Sequence, residues 1–267
     1  MIRYNIMKRP CFTLIELLVV IAIITLLAAL SIGVLRNSKQ RTKSLLCMSR
    51  IRQLAVGLIM YEEDNQTFPY GFRDEFTPPP GGYPGSPLYD RPGWWWFHSM
   101  QGYGDTNESI FYCPSKSLGV PRLKKCILYG NYGVNRSICR SPDDTGSRKE
   151  FAGAPLARGD MPQLSRTLLI VDSGYSIISW WYATDVPPVP ISGIGGRDAA
   201  YVPGLEINKN RKLLPGQEQD AVDGRHPNKT VNVGFADGHV SATKANDLFV
   251  EKTNDGYTNR SPLWSPN

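Results

Sequence analysis

Residues 12–35 read FTLIELLVVIAIITLLAALSIGVL, and from Leu17 to Leu30 only Thr25 is not apolar. As a helix this stretch rises about 36 Å, enough to cross a hydrocarbon core of about 30 Å. A helix in a soluble core is seldom apolar on every face, so the pattern predicts a transmembrane segment. Glu16 breaks the pattern. A carboxylate costs about 3 kcal/mol at the bilayer centre and less near its surface, and inside a span it usually marks function. In the first turn, Glu16 could also reach the headgroup layer and have no such role.

On the N-terminal side, residues 1–11 read MIRYNIMKRPC, basic and free of acid. Arg3, Lys8 and Arg9 account for three of the formal net charge of +6. The balance on the rest is too small to argue for nucleic acid as a partner. On the C-terminal side there is no proline between Pro10 and Pro69. Leu45, Met48, Ile51, Leu54, Ala55, Leu58 and Ile59 recur at three- and four-residue steps, with Lys43, Arg50, Arg52 and Glu62 on other faces. This predicts that residues 36–64 continue the helix as an amphipathic half packed on a domain. The whole helix would be about 80 Å long.

The string Phe12-Thr13-Leu14-Ile15-Glu16-Leu17-Leu18-Val19-Val20-Ile21-Ala22 resembles the prepilin signature of type IV pilins and type II secretion pseudopilins. The resemblance implies a leader at 1–11, cut by a prepilin peptidase between Cys11 and Phe12, and methylation of the new amino group on Phe12. It also implies that Glu16 pairs with the free N-terminus of a neighbouring subunit during assembly. A carboxylate in lipid needs a counter-charge, and a neighbour's amine supplies one. The family usually carries Gly before the cut, where this chain has Cys11.

Two other readings fit a basic and then apolar N-terminus. A secretory signal peptide could be cut near Ala29-Leu30-Ser31, although its apolar core would be long and Glu16 unexplained. An uncleaved signal anchor is the other. Arg36, Lys39, Arg41, Lys43, Arg50 and Arg52 follow the span, and the positive-inside rule alone would put that side in the cytoplasm. The prepilin resemblance implies the reverse. The leader would be cytoplasmic, the chain single-pass in the inner membrane, and the domain in the periplasm or at the cell surface.

Residues 65–267 form the expected extracytoplasmic domain. With 41% hydrophobic and 20% charged residues the chain is globular rather than disordered, and its 25 Gly and 21 Pro predict long loops. Residues 66–109 hold Pro78-Pro79-Pro80 and Trp94-Trp95-Trp96. Such indoles either bury against a small sheet or, with Trp180-Trp181, form a platform for a ligand such as polysaccharide. Strands are expected at 109–112, 128–134, 167–171, 176–182 and 231–235. The clearest unit is VNVGFADGHVSAT, where Val231, Val233 and Phe235 alternate, Asp237-Gly238 turns, and Val240 starts the return strand. The expected fold class is α+β, a long N-terminal transmembrane helix packed on a mostly antiparallel sheet.

Little in the domain looks like chemistry. His226, Asp237 and His239 invite a metal or acid–base site, but no carboxylate cluster, Cys pair or nucleophile motif joins them. Turn chemistry explains Asp237-Gly238 equally well. Cys11, Cys47, Cys113, Cys126 and Cys139 contain no C-x-x-C pair. Outside the cytoplasm they could form disulfides whose pairing the spacing leaves open. Asp143-Asp144, or Asp220 and Asp223, could donate oxygens to calcium, but no loop has calcium spacing. The expectation is therefore no catalytic residue, no metal and no cofactor.

Several segments taken together resemble the pseudopilin-like proteins of planctomycete and verrucomicrobial bacteria, whose C-terminal domain is named for a His followed nine residues later by Asp-Gly. They are Cys47…Leu54…Tyr61-x-x-Asp64-Asn65…Pro69, Phe111-Tyr112-Cys113-Pro114, Tyr129-Gly130-Asn131-Tyr132-Gly133-Val134-Asn135, Thr167-Leu168-Leu169-Ile170-Val171-Asp172-Ser173, and Arg225-His226…Phe235-Ala236-Asp237-Gly238-His239-Val240. Here ten residues separate His226 from Asp237. The resemblance implies a structural subunit of a pilus-like or pseudopilus fibre, with membrane lipid, the prepilin peptidase and other pilin-like subunits as partners. The alternatives are a surface binding module exported by that route and an anchored enzyme centred on His226, Asp237 and His239.

Overall fold

The computed structural model of the protein describes residues 13–74, 78–79, 93–104, 107–142, 149–180, 199–254, 256–259 and 264. The leader with Cys11, together with Phe12, Pro80, Asp143, Asp144, Trp181 and the stretch 187–196, lies outside them.

Leu14–Asn65 form one α-helix of 52 residues, α1. Its start is a capping box. Thr13 Oγ1 accepts from the Glu16 N–H at 3.3 Å, and Glu16 Oε2 accepts from the Thr13 N–H at 2.9 Å. At its end the Asn65 amide donates to the Tyr61 carbonyl at 2.9 Å, and Gln66 leaves the helix with a left-handed φ of 66°.

The chain divides into two compact units at Thr42/Lys43. In the first, every side chain from Leu14 to Thr42 is exposed. Among the described residues, α1 is the one helix long and apolar enough to cross a membrane. The second unit begins with the remainder of α1, which buries Cys47, Ile51, Leu54, Ala55, Leu58 and Glu62. Burial of each large aliphatic side chain in that stripe stabilises the unit by about 1.5–3 kcal/mol. Leu45 was expected on this stripe but is exposed, because the buried face begins two residues later at Cys47. Glu62 is held by Arg158, whose Nε and backbone N–H donate to it at 2.8 and 3.0 Å.

The strands in chain order are β1 (Phe72–Arg73), β2 (Trp94–Trp95), β3 (Tyr132–Asn135), β4 (Leu168–Asp172), β5 (Ile177–Ile178), β6 (Thr230–Phe235), β7 (Val240–Lys244), β8 (Val250–Thr253) and β9 (Gly256–Asn259). The central sheet has the order β5-β3-β4-β6-β7. Its pairs are antiparallel except β3 with β5. The fold is α+β, with one long apolar N-terminal helix and mostly antiparallel sheets joined by loops. The C-terminal half of α1 meets the sheet at Gly234 on β6. A Cβ there would sit 3.0 Å from Ile51 Cγ2, 3.3 Å from Ala55 Cβ and 2.9 Å from Ile170 Cγ2.

The β6–β7 hairpin forms as its sequence predicts, with Gly238 at a φ of +89° in the turn. Other expected strands differ. Residues 109–112 lie mostly in a 3-10 turn, Glu108–Phe111, because Asn107 Oδ1 caps the Ser109 N–H. Residues 128–134 become strand only at Tyr132. Before it, Gly130 has a φ of +69° and the Asn131 amide takes up the carbonyls of Cys126, Ile127 and Tyr129. Of 176–182, only Ile177–Ile178 is strand among the described residues.

Candidate functional site

Four segments far apart in sequence meet in the interior. α1 supplies Cys47, the loop after the 3-10 turn supplies Cys113, the end of β4 supplies Asp172, and the approach to β6 supplies His226. All four are buried, and one ligand-type atom from each lies within 4.8 Å of the others. Cys47 Sγ donates to Asp172 Oδ1 at 3.1 Å, and the two sulfurs are 3.7 Å apart. His226 Nε2 stands 3.0 Å from Asp172 Oδ2, which also accepts the Asn232 backbone N–H at 2.8 Å.

Arg225 fixes the adjoining wall. Its guanidinium donates to Asp220 through Nε at 2.9 Å and Nη2 at 2.7 Å, and to the carbonyls of Asn131 and Ser173 at 2.7 and 2.9 Å. Tyr201 donates its hydroxyl to Asp220 at 2.9 Å. Arg225 Nη1 is also 3.8 Å from Asp172 Oδ1. A buried charge survives only when paired and hydrogen-bonded, and both conditions are met here.

The cluster perturbs its own protonation. Burial opposes ionisation of Asp172, but His226 and Arg225 outweigh it and hold the carboxyl below its ordinary range. Burial likewise opposes the His226 cation, yet Asp172 and Cys113 raise the imidazole to about 10. Cys113 is the thiol drawn toward thiolate. Burial acts against this, but contacts with Cys47 and His226 bring it to about 6. Strongly shifted groups around one point mark a candidate site.

His226 was expected beside Asp237 and His239, and the structure separates them. β6 runs between the two ends, and six extended residues span about 20 Å. His226 is buried in the cluster, whereas Asp237 and His239 are exposed and pair with each other, Oδ1 to Nδ1 at 2.6 Å. Asp237, Gly238 and His239 therefore do turn chemistry, with Asp237 Oδ1 also accepting the His239 N–H. The three side chains do not converge on a concave site.

The remaining candidates fall elsewhere. Glu16 is exposed at the start of α1, where Thr13 Oγ1 and N–H both donate to its Oε2. Trp95 and Trp96 are buried, and the Trp96 indole donates to the Ser176 carbonyl at 2.9 Å. His98 is buried and its Nδ1 accepts the Trp95 N–H at 2.9 Å. Asp220, offered as a calcium donor, is committed to Arg225 and Tyr201.

Sequence reasoning missed Cys47, Cys113 and Asp172 as members of a site. The available signal was that Cys47, Cys113, Asp172 and His226 each sit in one of the segments quoted for the pseudopilin-like resemblance. The chain matches no family model, no curated protein and no solved structure. The buried meeting of two thiols, a carboxylate and an imidazole thus stands as a property of this fold, argued from its own residues.

Proposed function

We propose that the chain is a pilin-like structural subunit of a type II secretion or type IV pilus-like system. A prepilin peptidase cuts it between Cys11 and Phe12 and Phe12 is then methylated. The observation that carries this is the N-terminal part of α1, apolar and exposed on all faces, with Glu16 as the one carboxylate in its first 48 residues up to Tyr61. A helix of that kind needs lipid or copies of itself around it. Within the membrane, a carboxylate near the start of such a helix needs a cationic partner, and the N-terminal amine of a neighbour meets that need. Repeated head to tail, such a contact builds an open helical fibre. The chain acts as a structural element rather than an enzyme, anchored once in the inner membrane with its domain in the periplasm or at the cell surface.

Glu16 also caps its own helix, and the two roles are separable. Glutamine serves in a capping box as glutamate does, but carries no charge. Glu16→Gln, like Glu16→Ala, is therefore expected to insert into the membrane normally and to fail to enter fibres. Fibre incorporation of Glu16→Gln at the native level would show that capping alone is needed and would remove the assembly role.

The polysaccharide-binding alternative gains no support from Trp95 or Trp96, while Trp94 and Trp180 are half-buried. Trp95 and Trp96 spend their faces on Phe72, Tyr175, Phe97 and Phe111 inside the core.

A further inference from the structure

We propose that Cys47, Cys113, Asp172 and His226 form a closed, four-coordinate site for one zinc ion inside the globular unit. Two sulfurs bound at about 2.3 Å to a tetrahedral zinc lie about 3.8 Å apart. Cys47 and Cys113 already stand at 3.7 Å. A disulfide would need that distance to close to about 2.05 Å, and it would leave the convergence of an imidazole and a carboxylate on the same point without a purpose. Two further contacts, Cys47 Sγ to Asp172 Oδ1 at 3.1 Å and His226 Nε2 to Asp172 Oδ2 at 3.0 Å, reach different oxygens of one carboxylate, of which a four-coordinate ion takes one. The contact to the coordinating oxygen opens by about 0.3–0.4 Å on binding.

The donor set selects the ion. Two thiolates with one imidazole and one carboxylate suit a borderline-soft cation with tetrahedral preference, and calcium or magnesium would demand oxygen ligands instead. Binding displaces the protons that the two thiols and His226 still hold, since only their deprotonated forms coordinate. Cys47, Cys113, Asp172 and Asp220 then carry four negative charges. The dication and Arg225 carry three positive ones. Arg225, 3.8 Å from Asp172, offsets the surplus negative charge of the first coordination sphere.

The site has no open position and no exposed ligand, which makes it structural rather than catalytic. It ties the C-terminal half of α1 to the Cys113 loop, to the end of β4 and to the approach to β6. In this unit zinc would do the stapling that disulfides do in other extracytoplasmic domains.

The test uses the full chain, extracted from membranes in detergent without chelator. Metal analysis is expected to find about one zinc per chain, and denaturation with chelator to expose both thiols to alkylation. Replacing the zinc by cobalt is expected to give a thiolate-to-cobalt charge-transfer band. Cys113→Ser should lower zinc content by about tenfold or more, with Cys139→Ala as a control that retains it. If Cys113→Ser fails to fold, the wild-type measurements alone decide. A metal-free chain two hydrogens lighter, with Cys47 and Cys113 joined, overturns the proposal. So do a metal-free chain with both thiols free, and a stoichiometric metal other than zinc.

Discussion

His226 Nε2 stands 3.0 Å from Asp172 Oδ2, and neither side chain has any exposed surface. Asp172 also accepts the thiol of Cys47 and the backbone N–H of Asn232, so one carboxylate organises donors from three segments. Replacing Asp172 by Asn keeps the shape and removes the charge. It leaves His226 facing a neutral amide in a fully buried site. Breaking a buried pair in this way costs about 3–5 kcal/mol. Urea unfolding of Asp172→Asn should show a loss in that range, and a loss below about 1 kcal/mol would contradict the role given to Asp172.

Gly234 marks a close approach of α1 to the sheet, bounded by Ile51, Ala55 and Ile170. Gly234→Val adds three carbons where none fits, and overpacking of this kind costs about 1–3 kcal/mol or more. Thermal unfolding should show a lowered midpoint, partly restored by Ile51→Ala on the facing helix. An unchanged midpoint would mean that the helix does not pack here.

His98 provides a pH dependence separate from the cluster. Burial lowers its imidazole from 6.5 to about 4. The unfolded chain then binds the proton more readily than the folded one. The contribution of neutral His98 is complete above about 6.5 and declines as the pH falls from there toward 4. His98→Asn keeps an acceptor for the Trp95 N–H without titrating, so the stability profile between those two values should flatten. A profile identical to that of the native protein would exclude His98 as its source.

Much of the fold was legible because local patterns decide it. The absence of proline between Pro10 and Pro69, the apolar run from Leu17 to Leu30 and the recurrence of Ile51, Leu54, Ala55 and Leu58 fix α1 without reference to the rest of the chain. Alternation around Asp237-Gly238 does the same for the hairpin. The cluster was not legible, because its members stand at 47, 113, 172 and 226 and share no local spacing. Nearness in sequence pointed instead to His226 with Asp237, which an extended strand holds apart. The strand expected at 109–112 gave way to a turn because the Asn107 side chain offers its backbone a local hydrogen bond.

The mature N-terminus of the protein in membranes tests the pilin-like account most directly, through intact mass and terminal sequencing. A chain beginning at Phe12 with a methylated amino group is the expected result, since it requires the cut after Cys11 and the chemistry specific to prepilin processing. A chain still beginning at Met1, or one beginning near Ile32, would contradict the account and leave α1 a plain anchor or a removed signal.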